Sequence, residues 1–341
     1  MPDLNVTSAQ ESTRGEEPRG RRLAVPTRSF WARLLHFREG GVLLALVVLS
    51  VLLTIGTSKF FTPYNLGIVV RQIAFVAVVA MGQTLVLLTG GIDLSVGPTA
   101  GLCSIVGAML MASTPVNPYL SLVVALLLGC FLGFLNGGLI AYLRMNPFIA
   151  TLALGEIYAG LVLVITQGYP VTGIPESFGV LGRGMIGFVP VPAVIMIIGA
   201  LVLTFLLTRL PHGRNIYAVG GNEAAARLAG INVNTVKVSV YVMSGFFAAL
   251  AGMMFVSRAN AGQPTIGPSW LLPSITAAIL GGTSLSGGEG TMLGTIIGAT
   301  LMGVLANGIV LMDISPYWER VIIGAVVIAA VLIDLLREKR S

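Results

Sequence analysis

The chain has 341 residues, 55% of them hydrophobic and only 10% charged, with a mean hydropathy of +0.91. A soluble domain carries roughly 25% charged residues, so this composition cannot cover a water-facing surface and excludes an ordinary soluble enzyme. The net charge of +6 does not point to nucleic acid, because the basic residues gather in the N-terminal tail, one internal loop and the C-terminus, where the positive-inside bias puts them.

Residues 1–28 are rich in Arg, Glu, Ser, Pro and Thr and predict a disordered cytoplasmic tail. Over 29–40, Phe30, Trp31, Leu34 and Leu35 recur at helical spacing among Arg33 and Arg38, which predicts a short interfacial helix. From 41 to 336 the chain reads as an all-α, polytopic transmembrane domain. A spanning helix needs about 20 mainly apolar residues. The spans expected are Val42–Ser58, Gly67–Leu88, Ser95–Met111, Tyr119–Leu143 and Pro147–Thr166, then Val191–Thr208, Val236–Ser257, Leu271–Leu285, Thr291–Met312 and Pro316–Leu336. That makes about ten transmembrane helices, with Leu271–Leu285 short of the usual length. An even count starting inside puts both termini, including residues 337–341, in the cytoplasm. Residues 167–192, rich in Gly and Pro, form an external loop that is no single regular element; it is either a docking surface or a connector.

The second and third spans are joined by a break, within MGQTLVLLTGGIDLSVG (Met81–Gly97). A broken helix with a carboxylate is tolerated at membrane depth only inside protein or beside a cavity. Gln83, Thr84, Gly90, Gly91, Asp93 and Ser95 are therefore candidate pathway or gate residues. Asp93 also suits a helix cap, and Gln83 and Thr84 suit helix–helix hydrogen bonds. Gly129, Gly133 and Gly137 recur every fourth residue and clear a helix face, with Asn136 as its polar contact; one place for that stripe is between two copies of the chain. Glu156 is an intramembrane carboxylate, functional by default or else hydrogen-bonded to a neighbouring helix. Gly281–Gly290 forms a second glycine-rich break, and its Thr283 and Ser284 join the pathway candidates. Both breaks fall on the cytoplasmic side in this threading, so no inverted repeat follows.

The internal loop over 211–235 carries GRNIYAVGGNEAAARLAGINVN (Gly213–Asn234). Asn222 can cap a helix and Glu223 favours its positive end. Glu223 and Arg227 are four apart, and Gly230 supplies a stop. The expected helix, Asn222–Ala229, has about two turns, too few to stand alone in water. It either packs flat on its own membrane domain or inserts into a separate cytoplasmic protein and transmits force. Gly220, Gly221, Ala224, Ala225 and Leu228 belong to the same segment, and the alanines leave a smooth surface.

Cys103 and Cys130 fall inside apolar runs, and His36 and His212 stand apart, so no metal site is expected. No GxxxxGK[ST] occurs, so the chain has no phosphate-cradling loop of its own. The string LSGGE at 285–289 matches an ATP-cassette signature only superficially, since it lies between hydrophobic spans without companion motifs.

MGQTLVLLTGGIDLSVG, YAVGGNEAAARLAGINVNTVK and LGGTSLSGGEGTMLGTIIGA together resemble the ribose-type permease subunits of ABC importers, from about Gly40 to Leu335. The resemblance implies a multi-pass protein of the bacterial cytoplasmic (inner) membrane that imports a small sugar or polyol and performs no covalent chemistry. It implies a second permease copy, identical or merely similar, an ABC ATPase subunit that binds ATP and Mg, and an extracytoplasmic sugar-binding protein. Gly220–Gly230 would then face the ATPase and Gln167–Pro192 the binding protein. Two departures bear on the substrate: Leu271 and Pro273 stand where many members carry acids, and Glu289 stands where a basic residue is frequent. The competing readings are an ion-gradient-driven secondary carrier and an ABC permease for branched-chain amino acids.

Overall fold

The computed structural model describes residues 40–113, 117–315 and 317–338. The N-terminal tail and the interfacial helix, apart from Gly40, lie outside the described residues, as do residues 339–341. Helices occupy each of the ten expected spans. They are α1 (Gly40–Gly56), α2 (Pro63–Leu88), α3 (Val96–Ser113), α4 (Pro118–Ala141) and α5 (Pro147–Thr166). After a short helix α6 (Val180–Arg183) come α7 (Val191–Arg209), α8 (Pro211–Gly221), α9 (Glu223–Leu228) and α10 (Val233–Ala259). The chain closes with α11 (Pro268–Leu280), α12 (Met292–Leu311) and α13 (Tyr317–Glu338), so Arg337 and Glu338 extend the last helix rather than opening a tail. Seven of these, α2, α3, α4, α5, α7, α10 and α12, are at least 18 residues long and apolar enough to cross a membrane; α1 and most of α11 form shorter apolar helices.

Several starts follow one local rule. Thr62, Asn117 and Asn146 each accept a hydrogen bond from a main-chain N–H of the first turn, and a proline follows each. The cap satisfies an orphan donor, and proline at the first position has no N–H to waste. This is why α2 begins at Pro63, four residues before the hydrophobic run at Gly67. The weak span resolves the other way. The chain turns at Gly281–Gly282, with Gly282 at φ 91°, so α11 ends at Leu280 rather than at Leu285.

The core is built around α10, which packs on α4, α2 and α3, while α11 and α12 pack together and against α2. The interior faces of α2, α3 and α10 combine large apolar side chains such as Met81, Ile105 and Met253 with glycines such as Gly82, Gly101 and Gly252 where backbones approach. α4, α5 and α7 lie outside and expose large apolar groups such as Leu127, Val164 and Leu201. A contiguous apolar exterior of this kind requires lipid as its solvent.

The glycine stripe of α4 packs within the chain. A Cβ on Gly129 or Gly133 would strike the main-chain oxygen of Gly245 or Tyr241 on α10, and one on Gly137 would meet Val238. The contact with a second permease copy is thus corrected to an intramolecular α4–α10 seam.

The loop over 167–192 contains a 3₁₀ turn (Glu176–Gly179), α6 and a two-residue hairpin pairing Met185–Ile186 with Val189–Pro190. It is pinned to the C-terminal end of α10 by Ser257, whose hydroxyl donates to the Phe178 carbonyl and accepts from the Gly182 N–H.

Candidate functional site

Three glycine-bearing segments far apart in sequence meet at one end of the bundle. The Gly288 N–H donates to the Leu88 carbonyl at 2.9 Å, and Tyr217 donates its hydroxyl to the Gly290 carbonyl at 2.8 Å. A Cβ on Gly220 would fall on the Leu88 carbonyl oxygen, and one on Gly287 would crowd Gly90. Gly90, Gly287 and Gly288 all have positive φ, which L side chains rarely adopt. The break after α2, the end of α8 and the break after α11 therefore form one backbone-to-backbone junction.

The helix expected at Asn222–Ala229 is α9, Glu223–Leu228, with Asn222 as its N-cap: its side-chain oxygen accepts from the Ala225 N–H at 2.9 Å. Glu223 pairs with Arg227 at 3.1 Å, as the spacing indicated, and with Lys237 at 2.6 Å, which spacing could not indicate. The Lys237 ammonium, with Arg227 assisting, holds the Glu223 carboxyl below the usual glutamate range. Ala226 is buried against the domain, whereas Leu228 is 91% exposed. Gly230 takes φ 83° and turns the chain toward α10. One face of this helix is seated and its tip is bare.

The sequence also missed α8, an amphipathic helix that joins α9 to the bundle; Ile216 and Val219 are its buried side. His212 at its start lies 2.8 Å from Ser239 Oγ on α10, and burial pushes its pKa down. Beside α9 is an open groove of about 400 Å³ edged by Arg144, Glu223, Arg227, Asn234 and Lys237.

The pathway candidates of the first break are placed inside the helix packing. Asp93 is 1% exposed; its Oδ1 accepts from the Ser95 N–H (2.9 Å) and hydroxyl (2.6 Å), and its Oδ2 from Ser244 on α10 (2.8 Å). Asn136 Nδ2 donates to Ser95 Oγ at 2.7 Å, and Tyr241 donates to the Ile92 carbonyl at 3.0 Å. Gln83, with its amide nitrogen turned to the Asp93 carbonyl (3.1 Å) and its oxygen to the Asp93 N–H (3.3 Å), satisfies the backbone there. Thr84 meets Thr295 of α12 at 2.7 Å. These bonds tie α2, α3, α4, α10 and α12 into one buried hub just above the glycine junction. Gly91 abuts the Tyr241 hydroxyl, Thr283 lies buried beside Gly290, and Ser284 accepts from the Ser286 N–H. Glu156 stands apart from all of them, exposed on α5.

At the opposite end, about 20 Å along α2 from the junction, Phe75 and Trp270 stack at 6.2 Å, with Phe255 edge-on to both. The Arg258 guanidinium lies 5.5 Å from the Phe75 centroid, a cation–π contact. The adjoining cavity, about 250 Å³, is below the about 300–1,000 Å³ of pockets for drug-sized ligands. Nothing in local periodicity announces this cluster, which draws on α2, α10 and α11.

A two-turn helix thus stands on a glycine junction at one end of an apolar helical bundle. The family model described as "Branched-chain amino acid transport system / permease component" matches residues 65–331. The chain belongs to this permease family. The permease is 43% identical over 296 residues to the ribose import permease protein of Bacillus subtilis, covering 86% of this chain and 92% of that one. It is equally similar to the Escherichia coli ribose import permease, with the same coverage. The fructose import permease protein of Rhizobium meliloti is 36% identical over 311 residues, 88% of this chain and 86% of that one.

Proposed function

We propose that this permease is the membrane-spanning subunit of an ABC importer that carries a small sugar or polyol, of pentose or hexose size, into the cell. A separate ATPase subunit binds ATP and Mg and closes on α9. α8 passes that displacement to the glycine junction, which shifts the ends of α2, α11 and α12. A second permease chain completes the pathway, and an extracytoplasmic binding protein delivers cargo to the side bearing the 167–192 loop. The chain works in the bacterial cytoplasmic membrane with both termini inside.

The observation that carries this reading is the bare Leu228 tip on a short helix that follows directly from α8, whose Tyr217 and Gly220 meet the junction. The named relatives are sugar import permeases, which favours a sugar over a branched-chain amino acid despite the family's description. An ion-driven carrier would use titratable groups along its pathway; Asp93 is enclosed by hydroxyl donors, and Glu156 stands apart from it on the exposed side of α5.

The test is uptake into proteoliposomes. The permease with its ATPase and binding protein should accumulate sugar only with hydrolysable ATP. Uptake by the permease alone under a proton or sodium gradient would replace this account with a secondary carrier.

A further inference from the structure

The turn between α4 and α5 carries an arginine that the fold leaves unpaired. Arg144 takes φ 54°, a left-handed backbone uncommon for a side chain of this size. Local hydrogen bonds keep it there: the Met145 N–H donates to the Leu139 carbonyl at 3.2 Å, and Asn146 Oδ1 accepts from the Phe148 N–H at 2.9 Å to cap α5. Among the described residues no carboxylate pairs with Arg144. It edges the groove of about 400 Å³ beside α9, whose other charged members are Arg227, Lys237 and Glu223. Three cations there face one carboxylate, which is already shared between Arg227 and Lys237. The groove keeps an unanswered positive charge.

Its surroundings select the kind of anion. α4 ends at Ala141 and α5 starts at Pro147, both lining the groove, and both helices are long and apolar enough to cross a membrane. The groove therefore opens at headgroup depth. Beside it Tyr142, Leu143, Phe148 and Ile149 expose their side chains, continuous with the lipid-facing surfaces of α4 and α5. An aromatic side chain at the end of a spanning helix is a common mark of the membrane–water boundary. A soluble anion would meet the basic edge alone. A phospholipid meets that edge with its phosphate and the apolar flank with its acyl chains.

Resting on the importer reading above, which puts this end of the bundle in the cytoplasm, we propose that the groove binds the headgroup of an anionic phospholipid. Basic pockets between membrane helices on the cytoplasmic side take such headgroups. The phosphate oxygens accept hydrogen bonds from the Arg144 and Arg227 guanidiniums and from the Lys237 ammonium, which has donors left beyond its bond to Glu223. They tie the α4–α5 turn to α9 and to the start of α10, so the lipid holds α9 in its seat. No covalent bond changes in the process.

The experiment uses the complete importer in nanodiscs of phosphatidylcholine and phosphatidylglycerol in equal parts. Native mass spectrometry should find phosphatidylglycerol retained on the permease in preference to phosphatidylcholine. Arg144→Gln should weaken that retention about fivefold, equivalent to about 1 kcal/mol for one basic residue at an anionic surface, and Arg144→Glu should weaken it further. Arg214→Gln removes an exposed cation of α8 outside the groove and should retain the lipid as the unmodified chain does. In proteoliposomes, ATP-driven ribose uptake should be faster with phosphatidylglycerol than in phosphatidylcholine alone. Arg144→Gln should lose that gain and keep the phosphatidylcholine rate. Equal retention of the two lipids, the result if an acidic segment of the ATPase filled the groove, would overturn the proposal. So would undiminished retention by Arg144→Glu, or displacement of the lipid by inorganic phosphate, which would make this a site for a soluble anion. The importer reading fails separately, only if no lipid mixture supports ATP-dependent uptake.

Discussion

Gly220 and Leu88 touch backbone to backbone: the space a Cβ would need at Gly220 is already filled by the Leu88 carbonyl oxygen. That oxygen also accepts the Gly288 N–H at 2.9 Å, so one carbonyl is shared by the lever's support and the second glycine break. A push on α9 has no slack to absorb before it reaches α2 and the loop into α12.

Gly220→Ala therefore has to separate α8 from α2, at an overpacking cost of about 1–3 kcal/mol. ATP-driven uptake should fall at least tenfold. Gly221→Ala is the control, because a Cβ there meets nothing within 4 Å, and it should behave as wild type. Equal transport by both variants would dissolve the junction as a relay.

Glu223→Arg places a third cation beside Arg227 and Lys237, where the carboxylate now bridges them. The pairs are partly exposed, with 44% of the Glu223 side chain accessible, so their contribution to global stability is small, about 0–1 kcal/mol. The variant should insert and accumulate normally while uptake is abolished. Gly230→Pro should do the same, since a φ of 83° is closed to proline. Membrane abundance and uptake, measured together, separate a coupling defect from a folding defect.

The lever should also respond to acid in two stages. His212 has a lowered pKa because of burial, and a group depressed in the folded state stabilises above its unfolded value, about 6.5, and loses that contribution as pH falls through the folded value. Glu223 is likewise depressed, mainly by Lys237, so its share is intact above about 4.3 and vanishes only at lower pH. Between pH 8 and 7 the seating of α8 and α9 should not change. Below pH 6.5 hydrogen exchange of the α8 amides should accelerate, and His212→Asn should remove that first stage.

Much of this was written in the local sequence. Hydrophobic runs located the apolar helices, seven of which are long enough among the described residues to cross a membrane, and Asn222, the Glu223–Arg227 spacing and Gly230 outlined α9 to within a residue at each end. Signals that depend on chain reversal were not legible. Lys237 lies fourteen residues from Glu223, and the meeting of Gly90, Gly220 and Gly288 requires the folded bundle. The reciprocal amide pair of Asn65 and Asn307, at 2.9 and 3.0 Å across α2 and α12, is likewise invisible to periodicity. The Thr-Pro and Asn-Pro starts at 62, 117 and 146 were readable as cap-plus-proline signals, and a hydropathy window passes over them.

Asp93 holds the hub by accepting from both Ser95 and Ser244. Asp93→Leu leaves these hydroxyls buried without their acceptor, at about 1–3 kcal/mol for each group left unsatisfied. The purified protein should show a markedly lower thermal midpoint, with Asp93→Asn intermediate because it keeps one acceptor oxygen. An Asp93→Leu protein of wild-type stability would remove the hub from the account.

The account stands or falls on what touches Leu228. With a photocrosslinking amino acid in place of Leu228, the complex in native membranes should yield a covalent adduct to the nucleotide-hydrolysing subunit, and Glu223→Arg should diminish it. Adducts confined to the permease itself, with uptake still driven by ATP, would mean that α9 is not the lever.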